Sequence, residues 1–501
     1  MSKEQTSNTK QAAWVAIGSF FSFIVGIVSP MILSRYFDKG DYGTYKQVMY
    51  VYNTLLAVFT LGLPKAYSYF LPKYPREYSK DIIVKITRIF FILGAIFSIF
   101  LLCCAGPISK VMNNTDLKMA LVLFSPTPFL LLPTMGLDSI YASFRKTKYL
   151  AYYTISTRIL TIACTIFPVV VFSGNYIHAI IGFDVASLIT FVIALYCKSW
   201  PIKKVEHKKS NVTYKEIFKF SLPLLYASLW GVIIASANQF FISRYFGNET
   251  FAEFSNGFME IPFVGMILGS ISSVLLPVFS GMDKGNGMNA EILSVWNSAL
   301  FKSAKLIFPM LIFSVVFAEP IMTCMYGDMY ANSSIYFIIK NLSGLFYIIP
   351  FAPIILAIGK TKEYANVHMF VAIVIVIAEY VACKLVNSAI YIAIISELCQ
   401  LLKIYLLMKV IAGYSHKKVF ELILPKQLLI LIVISIIAAI PPFVLQYYLD
   451  FNKFISLLLS LVIYIADYYV LCWIFKVSYR NIVGALIKNP KLSQVLDKII
   501  P

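Results

Sequence analysis

Residues 219–246 read KFSLPLLYASLWGVIIASANQFFISRYF, a lysine followed by one long apolar run and the tetrapeptide Ser-Arg-Tyr-Phe. Residues 10–37 read KQAAWVAIGSFFSFIVGIVSPMILSRYF, with the same opening lysine and the same closing tetrapeptide. One pair of similar helices can arise by chance. Further matches in the same order would instead indicate that a whole bundle is repeated.

Such matches do follow, at separations of roughly 213 to 217 residues, close to the 209 residues of the first pair. They pair charged residues, prolines and basic loops: Lys85 and Arg88 with Lys302 and Lys305, Pro133 with Pro350, Lys146–Lys148 with Lys360–Lys362, and Asp184 with Glu397. The chain is therefore expected to contain two copies of one helical bundle.

Composition places this repeat in a membrane. Of the 501 residues, 59% are hydrophobic and only 13% are charged, and the mean hydropathy is +0.78. In soluble domains roughly a quarter of the residues are charged. Apolar runs of about 20 residues, the length that spans a bilayer as a helix, recur along the chain. We predict an all-α polytopic membrane protein of about 14 transmembrane helices, built as two parallel six-helix repeats plus two C-terminal helices.

The formal net charge of +19 is distributed unevenly between the alternate loops. One side of the predicted topology collects about 27 cations and the other about 7, which places both termini in the cytoplasm by the positive-inside rule. Topology and contact with anionic lipids account for this charge, so no nucleic-acid partner is predicted. The predicted segments are a cytoplasmic tail at 1–11, an N-terminal lobe at 12–197, a cytoplasmic linker at 198–219, a C-terminal lobe at 220–410, and two further helices with a basic tail at 411–501.

The sequence contains no recognisable pattern of catalytic residues. The four histidines lie in separate segments without metal-ligand spacing, and no glycine-rich phosphate loop or ATPase motif is present. We therefore expect neither an enzyme nor a directly ATP-driven pump, and no cofactor or metal.

Ionisable residues inside the predicted spans are the informative ones, because each costs roughly 2.5–3.5 kcal/mol near the membrane centre on insertion scales. Several share a helix face with other polar residues, as Arg158 does with Thr154 and Thr161. Such faces are expected to line a water-filled cavity, and cations there suit an anionic or phosphate-bearing substrate. The candidate substrate-binding residues are Arg158, Lys302, Lys305, Lys340, Lys85 and Arg88.

Alternative roles apply to some of these residues. Lys85 and Arg88 lie within two turns of a helix end, where long side chains can reach the membrane surface, and Lys403 is interpreted as an anchor at that surface. The acidic residues Asp184, Glu379 and Glu397 are candidates for coupling transport to protons. Asp184 and Glu397 are equally compatible with hydrogen bonds between helices.

These features together resemble the polysaccharide-transport branch of the multidrug/oligosaccharidyl-lipid/polysaccharide exporter superfamily, which includes the Wzx-type O-antigen flippases. The resemblance rests on the repeated bundles, on Ser-Arg-Tyr-Phe at 34–37 followed by Gly40 and Tyr42-Gly43, and on Lys360-Thr361-Lys362 after a proline-bearing helix. It implies two lobes in a V shape that alternate between inward-open and outward-open states in a bacterial cytoplasmic membrane. It also implies a polyprenyl-diphosphate-linked oligosaccharide as substrate, with membrane lipids and polysaccharide polymerase or assembly proteins as partners.

Two other functions stay open. A cation-coupled multidrug exporter of the same superfamily has a similar fold, but commonly carries a carboxylate in its first helix, whereas residues 14–34 contain none. A non-transporting membrane scaffold would have no reason to keep cations at mid-depth.

Overall fold

The computed structural model describes residues 8–203, 205–281, 290–422, 425–448 and 452–479. In these residues the regular structure is helical, as predicted. The α-helices are α1 (Asn8–Tyr36), α2 (Lys39–Phe59), α3 (Pro64–Lys73), α4 (Ser79–Val111), α5 (Asp116–Phe124), α6 (Thr127–Leu131), α7 (Leu137–Ser143), α8 (Thr147–Phe172), α9 (Tyr176–Ser199), α10 (Tyr214–Gly257), α11 (Pro262–Gly281), α12 (Ala290–Val316), α13 (Ala318–Tyr326), α14 (Ser333–Tyr347), α15 (Phe351–Ala357), α16 (Thr361–Leu385), α17 (Ala389–Ser415), α18 (Pro425–Tyr448) and α19 (Lys453–Ile474). Short 3₁₀ turns lie at Arg76–Tyr78, Leu132–Thr134, Trp200–Ile202, Asp328–Tyr330 and Val419–Glu421.

Twelve helical segments of the described residues are long and apolar enough to cross a membrane. Residues 214–257 add a thirteenth if the bent pair within them counts as one span. Helix α11, 20 residues long, contains a shorter apolar segment, Phe263–Ser272. The predicted all-α polytopic fold is confirmed. Residues 1–7 of the predicted N-terminal tail and residues 480–501 of the basic C-terminal tail lie outside the described residues.

Local sequence explains where several spans begin and break. The Asp38 carboxylate caps α2 by accepting from the Asp41 amide at 2.7 Å, and Asn175 with His178 forms a capping box at the start of α9. Leu61 and Gly62 adopt positive φ angles of 49° and 69° and separate α2 from α3. Helix boundaries therefore follow short polar or glycine-containing signals between apolar runs.

The chain divides into two compact units. The first comprises Met1–Ala252 with Cys383–Ala389, and the second comprises Glu253–Ala382 with Ile390–Pro501. Residues 220–252, predicted from the repeat to open the second bundle, thus group with the first unit by their contacts. Hydrogen bonds that join this part of α10 to the helices of the first unit give the physical reason.

A buried polar network makes that connection. Gln47 Nε2 donates to Ser243 Oγ at 2.7 Å, and Asn114 Nδ2 donates to Gln47 Oε1 at 2.6 Å. Gly43 lies so close to Asn248 that a Cβ at position 43 would meet the Asn248 carbonyl oxygen at 2.1 Å. In the repeated tetrapeptide, Arg244 follows Ser243 and donates to the Val111 carbonyl at 2.6 Å. The second copy of the tetrapeptide, at residues 243–246, therefore holds this part of α10 against the other helices of the first unit.

The second unit has its own apolar core. Trp296 of α12 is completely buried, and its indole N–H donates to the Pro350 carbonyl at 3.4 Å. Helix α18 packs against α12 and α19, which brings the two C-terminal helices into contact with the rest of this unit.

Candidate functional site

The second unit buries an ion pair between α14 and α17. Lys340 lies on the face of α14 that also carries Ser343 and Tyr347, at the i+3 and i+7 positions of a helix. Its Nζ is 3.1 Å from Glu397 Oε1, and the two side chains are 10% and 6% exposed. The structure thus brings together one predicted substrate-binding cation and one predicted coupling carboxylate.

Glu397 receives a full set of donors. Ser343 Oγ and Tyr347 O–H both donate to Glu397 Oε2 at 2.5 Å, while Lys340 donates to Oε1. A buried charge is tolerated only when it is paired and hydrogen-bonded. The three donors therefore satisfy both oxygens of the Glu397 carboxyl group, and removal of Lys340 would take away the donor to Oε1.

Lys340 also contacts a second carboxylate, Glu260, whose Oε1 lies 3.3 Å from Nζ. In contrast to Glu397, the Glu260 side chain is 59% exposed. The rings of Phe258 and Tyr347 each lie 5.1 Å from the ammonium and add cation–π contact. Glu260 was not predicted from sequence, because it lies in the short segment between α10 and α11, where helical periodicity carries no information.

Lys403 lies beside this cluster. It interacts electrostatically with Lys340, Glu397 and Glu260, and its Nζ donates to Gln400 Oε1. The sequence suggested a membrane-surface anchor for Lys403, whereas the structure places it next to the buried pair. We call Lys340, Lys403, Glu397 and Glu260 the Lys340 cluster.

The other two acidic candidates have different surroundings. Glu379 of α16 is completely buried, and its polar neighbours are Ser396 and Cys399 of α17; none of the described cations forms an ion pair with it. Asp184 of α9 is half-buried and accepts a hydrogen bond from Thr127 of α6. The matching residues Asp184 and Glu397 therefore have different partners, a hydroxyl in one unit and a lysine with two hydroxyls in the other.

Lys85 contacts the linker. Its Nζ lies 2.7 Å from Asp81 Oδ2, 2.9 Å from the Val212 carbonyl and 3.1 Å from the Ser210 carbonyl. Asp81 also accepts from the Ser210 hydroxyl at 2.6 Å. A hydrogen bond from Lys208 to Glu77 at 3.0 Å raises the pKa of Lys208 above its usual value. These contacts hold residues 208–212 against the start of α4.

The remaining predicted cations fall into two groups. Arg88, Arg158 and Lys302 have exposed side chains. Lys305 is buried, donates to the Ser478 carbonyl at 2.5 Å and lies 4.6 Å from the centre of the Phe301 ring. Its ammonium therefore binds the segment that follows α19.

One buried lysine was missed by sequence reasoning. Lys198 was counted as the first cation of the linker, but it is 3% exposed and donates to Tyr67 O–H at 3.1 Å in the first unit. Its ammonium also lies over the Phe90 ring at 5.6 Å. The only available signal was its position directly after the last residue of a predicted apolar span, at the end of α9. In the described part of the chain, no group of three His, Cys, Asp or Glu side chains is arranged to hold a metal ion.

Comparisons with known proteins place the chain in a polysaccharide biosynthesis family. A family model described as polysaccharide biosynthesis protein matches residues 9–283, more than half of the chain. The capsular polysaccharide biosynthesis protein CapF of Staphylococcus aureus is 23% identical over 289 residues, which cover 56% of this chain and 70% of CapF.

Two solved structures have a similar fold. The lipid II flippase MurJ in an inward closed conformation matches with a TM-score of 0.69 at 18% identity, over 93% of this chain and 99% of that one. An inward-facing multidrug transporter of the MATE family matches with a TM-score of 0.61 at 13% identity, over 81% of this chain and 98% of that one. At these identities the likeness concerns the fold.

Proposed function

Since the chain belongs to the polysaccharide biosynthesis protein family within the multidrug/oligosaccharidyl-lipid/polysaccharide exporter superfamily, we propose that it is a flippase for a polyprenyl-diphosphate-linked oligosaccharide. It moves this substrate across a bacterial cytoplasmic membrane by alternating access, with both termini in the cytoplasm. The family match supports a role in polysaccharide export. The Lys340 cluster supports the anionic head group, because it places two cations beside one fully bonded carboxylate and one exposed carboxylate.

The predicted residues divide into roles by their contacts. Lys340 and the exposed Arg158, Arg88 and Lys302 are the proposed contacts of the diphosphate or the sugars. Lys85 and Lys305 have partners in the linker and in the segment after α19, so we assign them to holding those segments.

Coupling is assigned to the carboxylates. Glu379 is the preferred proton-binding residue, because none of the described cations pairs with a charge at this fully buried position, which makes the charge costly. Glu397 and Asp184 are the other candidates. The transport cycle requires no cofactor and no catalytic residue, and polymerase or assembly proteins would receive the exported units.

A cation-coupled multidrug exporter is the second candidate function, and the fold shared with the MATE transporter favours it. The absence of an acid from residues 14–34 counts against it. A membrane scaffold is disfavoured, since a buried ion pair such as that of Lys340 and Glu397 is often no more stable than an apolar replacement.

Deletion of the gene in its own host tests the proposal. We expect loss of surface polysaccharide, accumulation of lipid-linked repeat units on the cytoplasmic side, and restoration of both by the wild-type gene. Unchanged surface polysaccharide together with new sensitivity to cationic dyes would contradict flipping and favour drug export.

A further inference from the structure

We propose that Glu260 occupies the place of the substrate anion in the Lys340 cluster, and that a diphosphate displaces Glu260, but not Glu397, from Lys340. This inference rests on the proposed function for the identity of the anion. It assigns an anion-binding site to the second unit and names its resting occupant. The site lies on side chains of α14 and α17 and on the segment between α10 and α11.

The two carboxylates on Lys340 are held with very different strength. Glu397 is 6% exposed and accepts from Lys340, Ser343 and Tyr347. Removing the lysine from such a buried pair is strongly unfavourable, so Glu397 stays in place. Glu260 is 59% exposed and lies at the longer distance of 3.3 Å. Because water still solvates much of the Glu260 carboxylate, its contact with Lys340 contributes less than a fully buried one, so an incoming anion can replace Glu260 at a smaller cost than Glu397.

The charges of the cluster leave room for one anion. With Glu260 turned away, Lys340 keeps one ion-pair partner among the described residues, Glu397, and Lys403 adds a second positive charge to the cluster. An ammonium group has three donors. Glu397 takes one of them, which leaves donors for phosphate oxygens once Glu260 has moved.

The backbone around Glu260 is anchored while its side chain is exposed. Asn341 Nδ2 donates to the Met259 carbonyl at 3.3 Å, and Tyr326 O–H contacts Met259 Sδ at 3.4 Å. Rotation of the Glu260 side chain therefore requires no movement of the segment.

Binding of inorganic pyrophosphate to the purified full-length protein in detergent micelles tests the inference. Glu260→Gln removes the competing charge and keeps the side-chain shape, so we expect about two- to fivefold tighter binding than in the wild type, the range of an exposed ion pair. Asp328→Asn is the matched control, because Asp328 and Lys453 form another exposed ion pair of the second unit. Its pyrophosphate affinity should equal that of the wild type.

Lys340 is tested without leaving a buried charge. The double variant Lys340→Gln/Glu397→Gln removes both members of the pair, and we expect at least about tenfold weaker binding, as for loss of a charge-assisted contact. Unchanged or weaker binding in Glu260→Gln, or wild-type affinity in the double variant, would overturn the inference. Failure of the proposed function is seen separately in the deletion strain, because the polysaccharide phenotype does not depend on the pyrophosphate measurement.

Discussion

Lysines inside or next to the membrane spans have three different structural roles in this protein. Lys340 pairs with a buried carboxylate, Lys305 donates to a backbone carbonyl, and Lys85 holds the linker. Each satisfies the rule that a charge removed from water needs partners. Their side chains are chemically the same, so the difference in role comes from the neighbouring element that supplies the partner.

The buried pair leads to a prediction at this scale. Glu397→Gln leaves Lys340 with only the exposed carboxylate of Glu260, so it should lower the stability of the protein by about 3–5 kcal/mol, the usual effect of breaking a buried pair. Thermal unfolding in detergent micelles measures this change. Glu363→Gln, which breaks the exposed pair with Lys360, should leave the unfolding temperature unchanged. Equal unfolding temperatures for Glu397→Gln and the wild type would show that the pair does not stabilise the fold.

Helix contacts depend on where backbones approach each other. Helices α8 and α9 meet at Gly182, where a Cβ would lie 2.0 Å from the Cys164 carbonyl oxygen. At Gly26 of α1, by contrast, a Cβ would meet nothing within 4 Å. Small residues allow close packing of membrane helices, so glycines in these spans are not equivalent.

Alanine substitution tests this difference between elements. Gly182→Ala must push α8 and α9 apart and should destabilise the protein by about 1–3 kcal/mol, as overpacking does. Gly26→Ala should be neutral or slightly stabilising, because alanine favours the helix. The unfolding temperatures of the two variants in the same detergent provide the measurement, and equal values would contradict the observed packing of α8 on α9.

The linker is held near the start of α4 by contacts around two neighbouring ion pairs, Lys85–Asp81 and Lys208–Glu77. Lys85→Gln removes the hydrogen bonds to Ser210 and Val212 and the ion pair with Asp81. The Ser210–Asp81 and Lys208–Glu77 contacts remain, so residues 208–212 should be held more loosely. We expect faster trypsin cleavage after Lys208 or Lys209 in the purified variant, with little change in pyrophosphate binding. Lys80→Gln, an exposed neighbour on the same helix, is the control. Reduced pyrophosphate binding with unchanged cleavage would instead indicate that Lys85 belongs to the substrate-binding site.

At the scale of the whole molecule, the charge distribution predicts the topology. Lys209 lies on the side with about 27 cations and Lys118 on the side with about 7. In a background without the eight native cysteines, Lys209→Cys should react with a membrane-impermeant thiol reagent only after the cytoplasmic side is opened, and Lys118→Cys should react in intact cells. Both positions are exposed. Reaction of Lys209→Cys in intact cells would contradict cytoplasmic termini.

The amino-acid sequence alone determined the helical class and the order of the spans. Apolar runs of about 20 residues must form helices in a bilayer, because no water is there to bond the backbone. The i, i+3, i+7 spacing of Lys340, Ser343 and Tyr347 is enough to put them on one helix face, and the structure has all three beside Glu397. This part was predictable because periodicity is a property of one helix.

Only the tertiary structure decided the partners. Lys340 and Glu397 are 57 positions apart, Lys85 and Ser210 are 125 apart, and Gln47 and Ser243 are 196 apart. A helix face specifies the direction of a side chain, but not which face of another helix lies opposite. Glu260 lies in a short connection without periodicity. In the sequence Lys198 looks like another lysine of the linker, and only the structure shows that it is buried. Partner choice depends on how helices pack, and packing is set by all their contacts together.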